Sequence, residues 1–459
     1  MTAAPGRGQP KNSRLAFLAA TFAAFALASP VAAQDSFSIN EDELFGSDEG
    51  VVEVVAKSAA GSAVGSLLQT DTVRIGGSFS GSTTATWQWN DPWADGLDPA
   101  SPDSHVLKPA LSALVFFDAR PTEASRFYGS VKTAWPFTEA GDTQVFELFS
   151  DFSHDDAIYF RFGKQTINWG VGYFFSPANI MNLDQIDPTD PTAQLEGPVA
   201  IRAMVPVKGT QHNLWAYAVF DQATMKPEDT ALAAKAEFVS GGWELGAGAY
   251  FKRGDPLRGM LTAVGSMGQA SLFGEATLSR GSSKKWVSEV GDLTPTGIIP
   301  RTDDTSLFFK GTTGFRYTNG DANVTVMGQY LYDGEGYANA DREALIDKVL
   351  LQLGPAADDP YPMLFKKLIL GSGRHYAALT FVKNEFLAKD LSFSAFGIAN
   401  LSDFSGYLKP TLSYSFFDGL SMSVSAMVAL GFDSGEYVVL NDGRALALSV
   451  ALTLGSGAF

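Results

Sequence analysis

The sequence predicts an all-β protein: a transmembrane, antiparallel, up-and-down β-barrel of about 18 strands, within a range of roughly 16 to 18. Apolar residues recur with a period of two in segments of about ten residues, the length that a tilted strand needs to cross a bilayer. The connections between these segments alternate between tight and long. Hydrophobic residues make up 45% of the chain. After the N-terminus, however, no apolar run approaches the roughly 18 residues of a transmembrane helix.

The N-terminal residues 1–33 read as a secretory signal peptide. Three bases precede an apolar run over 15–27, and small residues follow up to Ala33, after which we expect cleavage. A membrane anchor is the alternative. The run is shorter than the roughly 20 residues that a span needs, and Pro30 follows it, which favours the signal peptide.

Residues 34–70 form an acidic extension, interpreted as a mobile leader or, alternatively, as a segment inserted into the lumen. The barrel is predicted to occupy 71–459. The signal carries three bases and no acid, so its removal takes the formal net charge from −17 to −20. Such an acidic chain lacks the basic footprint of a nucleic-acid-binding protein. It contains no cysteine, which excludes disulfides and thiolate metal sites.

The period-two pattern is clearest near the C-terminus. In 444–454, Leu446, Leu448 and Val450 alternate with Ala447 and Ser449. The predicted strands lie near 72–89, 107–119, 125–137, 143–152, 156–168, 199–207, 211–220, 231–240, 243–252, 258–266, 268–279, 306–318, 322–332, 374–384, 390–399, 406–416, 420–431 and 444–454.

The tight connections are predicted to face the periplasm and the long ones the outside, as in outer-membrane barrels. A soluble all-β protein is the alternative, but eighteen apolar strand faces would need more core volume than a sandwich supplies. A closed barrel also leaves no unpaired strand edge in lipid.

The face opposite the apolar one must line the lumen, because a base on the lipid face costs about 2–4 kcal/mol at the bilayer midplane. Its ten predicted bases are Arg74, Arg126, Lys132, Arg161, Arg202, Lys235, Lys252, Lys310, Arg316 and Lys409. Its four predicted acids are Glu147, Glu237, Glu244 and Glu275. Among them we select as pore-lining residues Arg126, Lys132, Arg161, Arg202, Lys235, Lys310, Arg316 and Glu147. The excess of bases predicts a weak preference for anions.

The third long connection, 169–198, is unusually long for a structureless insert, and such inserts are generally functional. Four prolines restrict its conformations. We expect it to fold inward and narrow the lumen, presenting the acids Asp184, Asp187, Asp190 and Glu196. The alternatives are a solvated external loop or a cation site built from the Asp-Pro-Thr-Asp spacing at 187–190.

Two motifs and the last residue carry a family resemblance. The chain contains G-K-Q-x-x-N-W-G at 163–170, followed by F-x-P and D-P elements, an acidic D-E-L-F-G at 42–46, and a terminal Phe459. Over 71–459 it resembles bacterial outer-membrane porins and is similar to a group of uncharacterised exported barrels. The resemblance implies insertion into the outer membrane by the barrel-assembly machinery through Phe459, and a homotrimer. The final GSGAF departs from the usual apolar alternation.

We therefore expect a water-filled outer-membrane pore for passive diffusion of small hydrophilic solutes. The alternatives are a structural or adhesive barrel whose external loops bind a ligand, and a fatty-acid-type transporter of hydrophobic solutes. An enzyme is not expected, because none of the four histidines, His105, His154, His212 and His375, has a partner pattern typical of catalysis. No cofactor or metal is expected.

Six aromatic residues near strand ends are expected to form girdles at the two bilayer interfaces, where indole and phenol rings are favoured. They are Trp87, Trp89, Trp135, Trp169, Trp215 and Tyr217.

Overall fold

The structure is a computed structural model that describes residues 73–136, 143–155, 157–183, 185–290, 298–353, 366 and 369–458. The predicted signal peptide, the acidic extension, Asp184 and Phe459 lie outside the described residues.

A single closed sheet of eighteen antiparallel strands forms the protein, which confirms the predicted fold class and strand number. Each barrel strand pairs with the barrel strands before and after it in the chain, and the first strand pairs with the last to close the barrel. The barrel strands are β1 (Val73–Trp89), β2 (Ser104–Thr122), β3 (Ser125–Trp135), β4 (Thr143–His154), β5 (Ile158–Lys164), β6 (Val199–Pro206), β7 (Asn213–Val219), β8 (Ala231–Ser240), β9 (Trp243–Phe251), β10 (Leu257–Met267), β11 (Ala270–Arg280), β14 (Leu307–Asn319), β15 (Val324–Asp333), β16 (His375–Lys383), β17 (Leu391–Asn400), β18 (Ser405–Phe417), β19 (Leu420–Leu430) and β20 (Leu446–Ala458).

The connections alternate in length, as the sequence predicts. Gly241 and Gly242 form a two-residue turn, and both have positive φ, which the tight hairpin requires. The long connections carry additional elements: a small hairpin of β12 (Trp286–Val290) and β13 (Ile298–Arg301), the helices α1 (Pro92–Asp95), α2 (Asn339–Leu353) and α3 (Glu436–Leu440), and a 3-10 turn (Pro227–Asp229). Within the part of the chain that the structure describes, no helix is long and apolar enough to cross a membrane.

The pairing register sorts side chains onto two faces. On β14, Leu307 and Phe309 are exposed on the outer face, whereas Thr312 and Arg316 are buried on the inner face. The other strands repeat this division, because a residue and its cross-strand partner share a face. A closed 18-strand barrel with an exposed apolar outer face is the architecture of bacterial outer-membrane proteins.

The expected aromatic girdles are wrong for four of the six residues. Trp87 and Trp135 are exposed, at 38% and 43%. Trp89 is buried, with its Nε1 donating to the backbone oxygen of Asp98 in the first long connection. Trp169, Trp215 and Tyr217 are also buried and belong to one apolar cluster. These rings are buried because they lie on the inside of the barrel. Tyr217 pairs with Arg202 on the inner face, and Trp169 lies in a connection that packs against this face.

Three long connections pack together at the outer rim. Their buried side chains form a cluster, called here the mouth cluster, which consists of Trp286, Tyr337, Leu345, Ile346, Val349, Ile369 and Val439. Part of the rim is therefore a packed structure with its own apolar core.

Glu436, at the start of α3, ties this structure to the barrel. Its side chain is 1% exposed. Its carboxylate accepts hydrogen bonds from the backbone N–H of Gly371 (2.8 Å), the hydroxyl of Tyr376 (2.8 Å) and Nδ2 of Asn400 (2.6 Å). Burial raises the pKa of Glu436 to about 7, against 4.5 for an accessible glutamate.

Because the folded pKa of Glu436 exceeds its unfolded value, the folded rim binds more protons than the opened rim between pH 4.5 and about 7. The stability of α3 should therefore decrease as the pH rises through this window and level off above it. Hydrogen-exchange protection of 436–443, corrected for the intrinsic pH dependence of exchange, measures this. Glu436→Gln should abolish the pH dependence, and an unchanged slope in this variant would contradict the assignment.

Candidate functional site: the third loop and the lumen wall

The two ends of the third loop, defined here as residues 165–198, are held together beside the barrel wall. The backbone N–H of Gln165 donates to the carbonyl of Pro198 (3.1 Å), and its Nε2 donates to the carbonyl of Ala200 (3.1 Å). Gly197 permits this approach, because a Cβ there would lie 1.8 Å from the carbonyl oxygen of Gln165. The loop therefore leaves and rejoins the sheet at one point.

A buried carboxylate on a strand far along the chain anchors the first half of the loop. Glu275, on the inner face of β11, is 4% exposed. It accepts hydrogen bonds from the backbone N–H groups of Val171 (2.5 Å), Gly172 and Ala178 (2.9 Å), and from the hydroxyl of Ser176 (2.9 Å). A buried carboxylate must be satisfied by donors, and here the donors are the main chain of the loop.

A buried amide provides the second anchor. The Oε1 of Gln329, on the inner face of β15, accepts from the backbone N–H groups of Tyr173 (3.1 Å), Phe174 (2.7 Å) and Phe175 (3.3 Å). Its Nε2 donates to the carbonyl of Phe175 (2.5 Å) and to the hydroxyl of Thr312 (2.6 Å). Glu275 and Gln329 together define the two-point latch of the third loop.

Apolar packing continues the same contact along the wall. Trp169 packs edge-on against Tyr217 of β7, with ring centroids 5.4 Å apart, within a cluster that reaches Met260 of β10. Phe174 lies 5.6 Å from Phe396 of β17. The loop therefore lies against the inner wall from β6 to β17, on the face that carries the lumen bases.

The barrel seam is lined differently. The inner faces of β19, β20 and β1 carry mainly Ser, Thr and Ala, together with Arg74, Gln88 and Met427, and Thr84, Thr86, Ser425 and Ser449 remain partly exposed. Thr86 and Ser449 are hydrogen-bonded to each other across the seam (2.8 Å between hydroxyl oxygens). The accessible part of the lumen thus runs along hydroxyl-bearing strands.

Two of the predicted bases form a ladder with acids on β2 to β5. The Nε of Arg126 lies 2.8 Å from Asp118, and the Nε of Arg161 lies 2.6 Å from Asp151. The guanidinium of Arg161 also lies 3.9 Å from the ring centroid of Phe149. These arginines are held rigidly by paired acids and an aromatic ring.

The other predicted pore-lining residues share this face. Lys235 pairs with Glu237 (2.6 Å), and Lys310 pairs with Glu335 (2.6 Å). Two further bases lie over aromatic rings: Lys132 over Phe146 and Arg202 over Trp215. Glu147 contacts the third loop, because its carboxylate accepts a hydrogen bond from the backbone N–H of Thr166. The last, Arg316, is buried on β14.

The predicted ratio of ten bases to four acids on the wall is wrong, because it leaves out Asp118 and Asp151. Both lie on the inner face, since they bind the inner-face residues Arg126 and Arg161. The signal was available: Asp151 follows Glu147 and Phe149 with the period of two.

Among the described residues, Asp187 and Asp190 of the third loop form no ion pair with Arg126 of β3 or Arg161 of β5, which bind Asp118 and Asp151 instead. Asp187 and Asp190 are exposed and accept local hydrogen bonds from the N–H of Thr189 (2.8 Å) and the hydroxyl of Thr192 (3.3 Å). Asp187 acts electrostatically on Tyr437 of α3, where burial and nearby acids raise the pKa of the phenol well above its usual value.

Glu196 instead forms an ion pair with Lys164 at the loop's own base. The described residues include no group of three or more histidine, aspartate or glutamate side chains that could hold a metal ion.

No protein-family model matches the sequence, and no curated protein matches it either. Solved bacterial outer-membrane barrels of the porin type are similar in structure. Pseudomonas aeruginosa OpdQ shares 10% identity at a TM-score of 0.46, over 85% of this chain and 99% of that chain. Pseudomonas aeruginosa OccK11 (OpdR) shares 11% at 0.43, over 84% and 96%. Salmonella typhi OmpF, in a complex with daunomycin, shares 9% at 0.41, over 84% and 97%. The similarity extends to the barrel architecture alone.

Removing the latch should release the third loop while leaving the barrel closed. Glu275→Ala combined with Gln329→Ala leaves buried main-chain donors unsatisfied, at about 1–3 kcal/mol each. Limited proteolysis of the folded protein should then cut within 170–195 at least tenfold faster. The matched control is Glu244→Ala, which removes an exposed carboxylate on β9. Equal cleavage rates in the double variant and the wild type would show that the latch does not hold the loop.

Proposed function

We propose that the protein is an outer-membrane pore that lets small hydrophilic solutes diffuse passively through a water-filled lumen. The observation that carries this proposal is the third loop, which is latched to the inner wall by Glu275 and Gln329. It covers one side of the lumen and leaves the hydroxyl-bearing seam of β19, β20 and β1 accessible. Ser and Thr side chains suit passing polar solutes, because they both donate and accept hydrogen bonds.

We also propose that the pore prefers anions weakly. Ion pairs neutralise much of the wall, including Arg126 with Asp118 and Arg161 with Asp151. Lys132 and Lys409 form no ion pair among the described residues, and they bias the wall toward positive charge. The exposed Asp187 acts electrostatically on Tyr407 of β18 and Tyr437 of α3, so a solute at the third loop would pass between this acid on one side and arginines on the other. Rings and walls of charge at a narrow point govern which ions pass.

Reconstitution into planar bilayers tests the pore itself. Stepwise conductance is expected, and deletion of 176–194 should raise the single-channel conductance because it removes part of the segment that covers the lumen. Deletion of 224–229, in the exposed connection between β7 and β8, is the control and should leave the conductance unchanged. A membrane that stays sealed despite correctly folded, inserted protein would overturn the proposed function.

Reversal potentials under a salt gradient test the selectivity. Arg161→Ala combined with Arg202→Ala should reduce or reverse the anion preference, whereas Asp187→Asn combined with Asp190→Asn should strengthen it. The wild-type preference should grow as ionic strength rises from low values, because salt screens the exposed acids at the mouth over about 10 Å at 0.1 M. A strong cation preference at every salt concentration would contradict the assignment.

A further inference from the structure

Arg316 is a buried cation that has no acceptor among the described residues. It lies on the inner face of β14 and is 6% exposed. Within the part of the chain that the structure describes, its Nε and Nη1 atoms are buried and make no hydrogen bond. Buried arginines are almost always paired, because an isolated buried charge is costly. The other well-buried lumen base of this kind, Arg161, binds Asp151. Arg316 therefore requires an anion that the described residues around it do not supply.

Its position relates it to the third loop. Gln329, which latches the loop, pairs with Gly314, and Arg316 follows two residues later on the same face, about 7 Å nearer the periplasmic end at the usual strand rise. Tyr173 of the loop is close to it: burial raises the pKa of the Tyr173 phenol, and the positive charge of Arg316 opposes this rise. A solute that has passed the latched loop would meet Arg316 next.

Arg316 has hydroxyl groups near it and one apolar neighbour, the buried Met327, which lies opposite it on β15. The register places Ser271 opposite Arg316 on β11 and Thr325 opposite Thr318 on β15. The hydroxyl of Thr318 is itself buried without a hydrogen-bond partner among the described residues. Glu275, on the same wall, is occupied by the main chain of the loop. The arrangement combines one guanidinium with several hydroxyl donors, which is suited to an oxyanion.

We propose that Arg316 is the centre of a binding site for a small oxyanion, a carboxylate or a phosphate, on the periplasmic side of the third loop. The planar guanidinium fork matches the two oxygens of such groups, and Thr318, Ser271 and Thr325 supply further donors. This proposal deepens the proposed function and rests on it for its biological role: the site would retain anionic solutes that have passed the loop.

Binding can be measured without conduction. Saturation-transfer NMR on the full-length protein in detergent detects weak binding of acetate through its methyl protons. Inorganic phosphate serves as the competitor. The wild type should give an acetate signal that phosphate reduces, and methylammonium should give none. Arg316→Gln should weaken acetate binding about tenfold or more, since it removes charge-assisted hydrogen bonds. Arg316→Lys should retain part of the affinity, because it keeps the charge and loses the fork.

The matched control is Arg258→Gln on β10, whose Nη2 donates to the hydroxyl of Ser283 (2.7 Å). This variant should bind acetate as the wild type does. Heat-modifiable gel mobility verifies that each barrel has folded, and Arg316→Gln should fold normally because it removes an unpaired buried charge. Equal acetate signals in Arg316→Gln and the wild type overturn the proposed site. If the bilayer shows no conductance but acetate binding depends on Arg316, the proposed pore is wrong and the proposed anion site is retained.

Discussion

The closure of one antiparallel sheet is the constraint on which the rest of this structure depends. In lipid every backbone donor and acceptor must be satisfied within the protein, and pairing of β1 with β20 removes the last free edge. Closure also propagates one register around all eighteen strands. Once one strand residue is assigned to the inner or the outer face, the period of two and the pairing register assign a face to the remaining strand residues.

The same constraint explains the third loop. A loop that lies inside a barrel buries its own main chain and must find donors and acceptors there. Glu275 and Gln329 meet that demand from strands far along the chain, with one carboxylate and one amide satisfying the N–H groups of six consecutive or nearby residues. The apolar residues of the loop then pack on aromatic residues of the wall, such as Tyr217 and Phe396. The lumen consequently has a filled side and an accessible side.

Charge follows from the same sorting. Bases are excluded from the lipid face and therefore lie on the inner face. Many of them form ion pairs with acids there or lie over aromatic rings. Arg126 and Arg161 are fixed by Asp118 and Asp151, so their guanidinium groups form a rigid part of the wall. Arg316 has no such partner among the described residues, and this contrast is the basis on which we propose it as an anion site.

The sequence by itself determined the strand number, the alternation of tight and long connections and the face of each lumen base, because each depends on local periodicity and on the exclusion of charge from lipid. The eight residues that we predict to line the pore lie on the face opposite the exposed apolar residues for this reason. Only the tertiary structure decided which residues meet. The partners Glu275 and Val171 are 104 positions apart, and no local pattern encodes that contact. The inward position of Trp169 and the pairing of Asp151 with Arg161 likewise depend on how the closed barrel brings distant strands and one loop together.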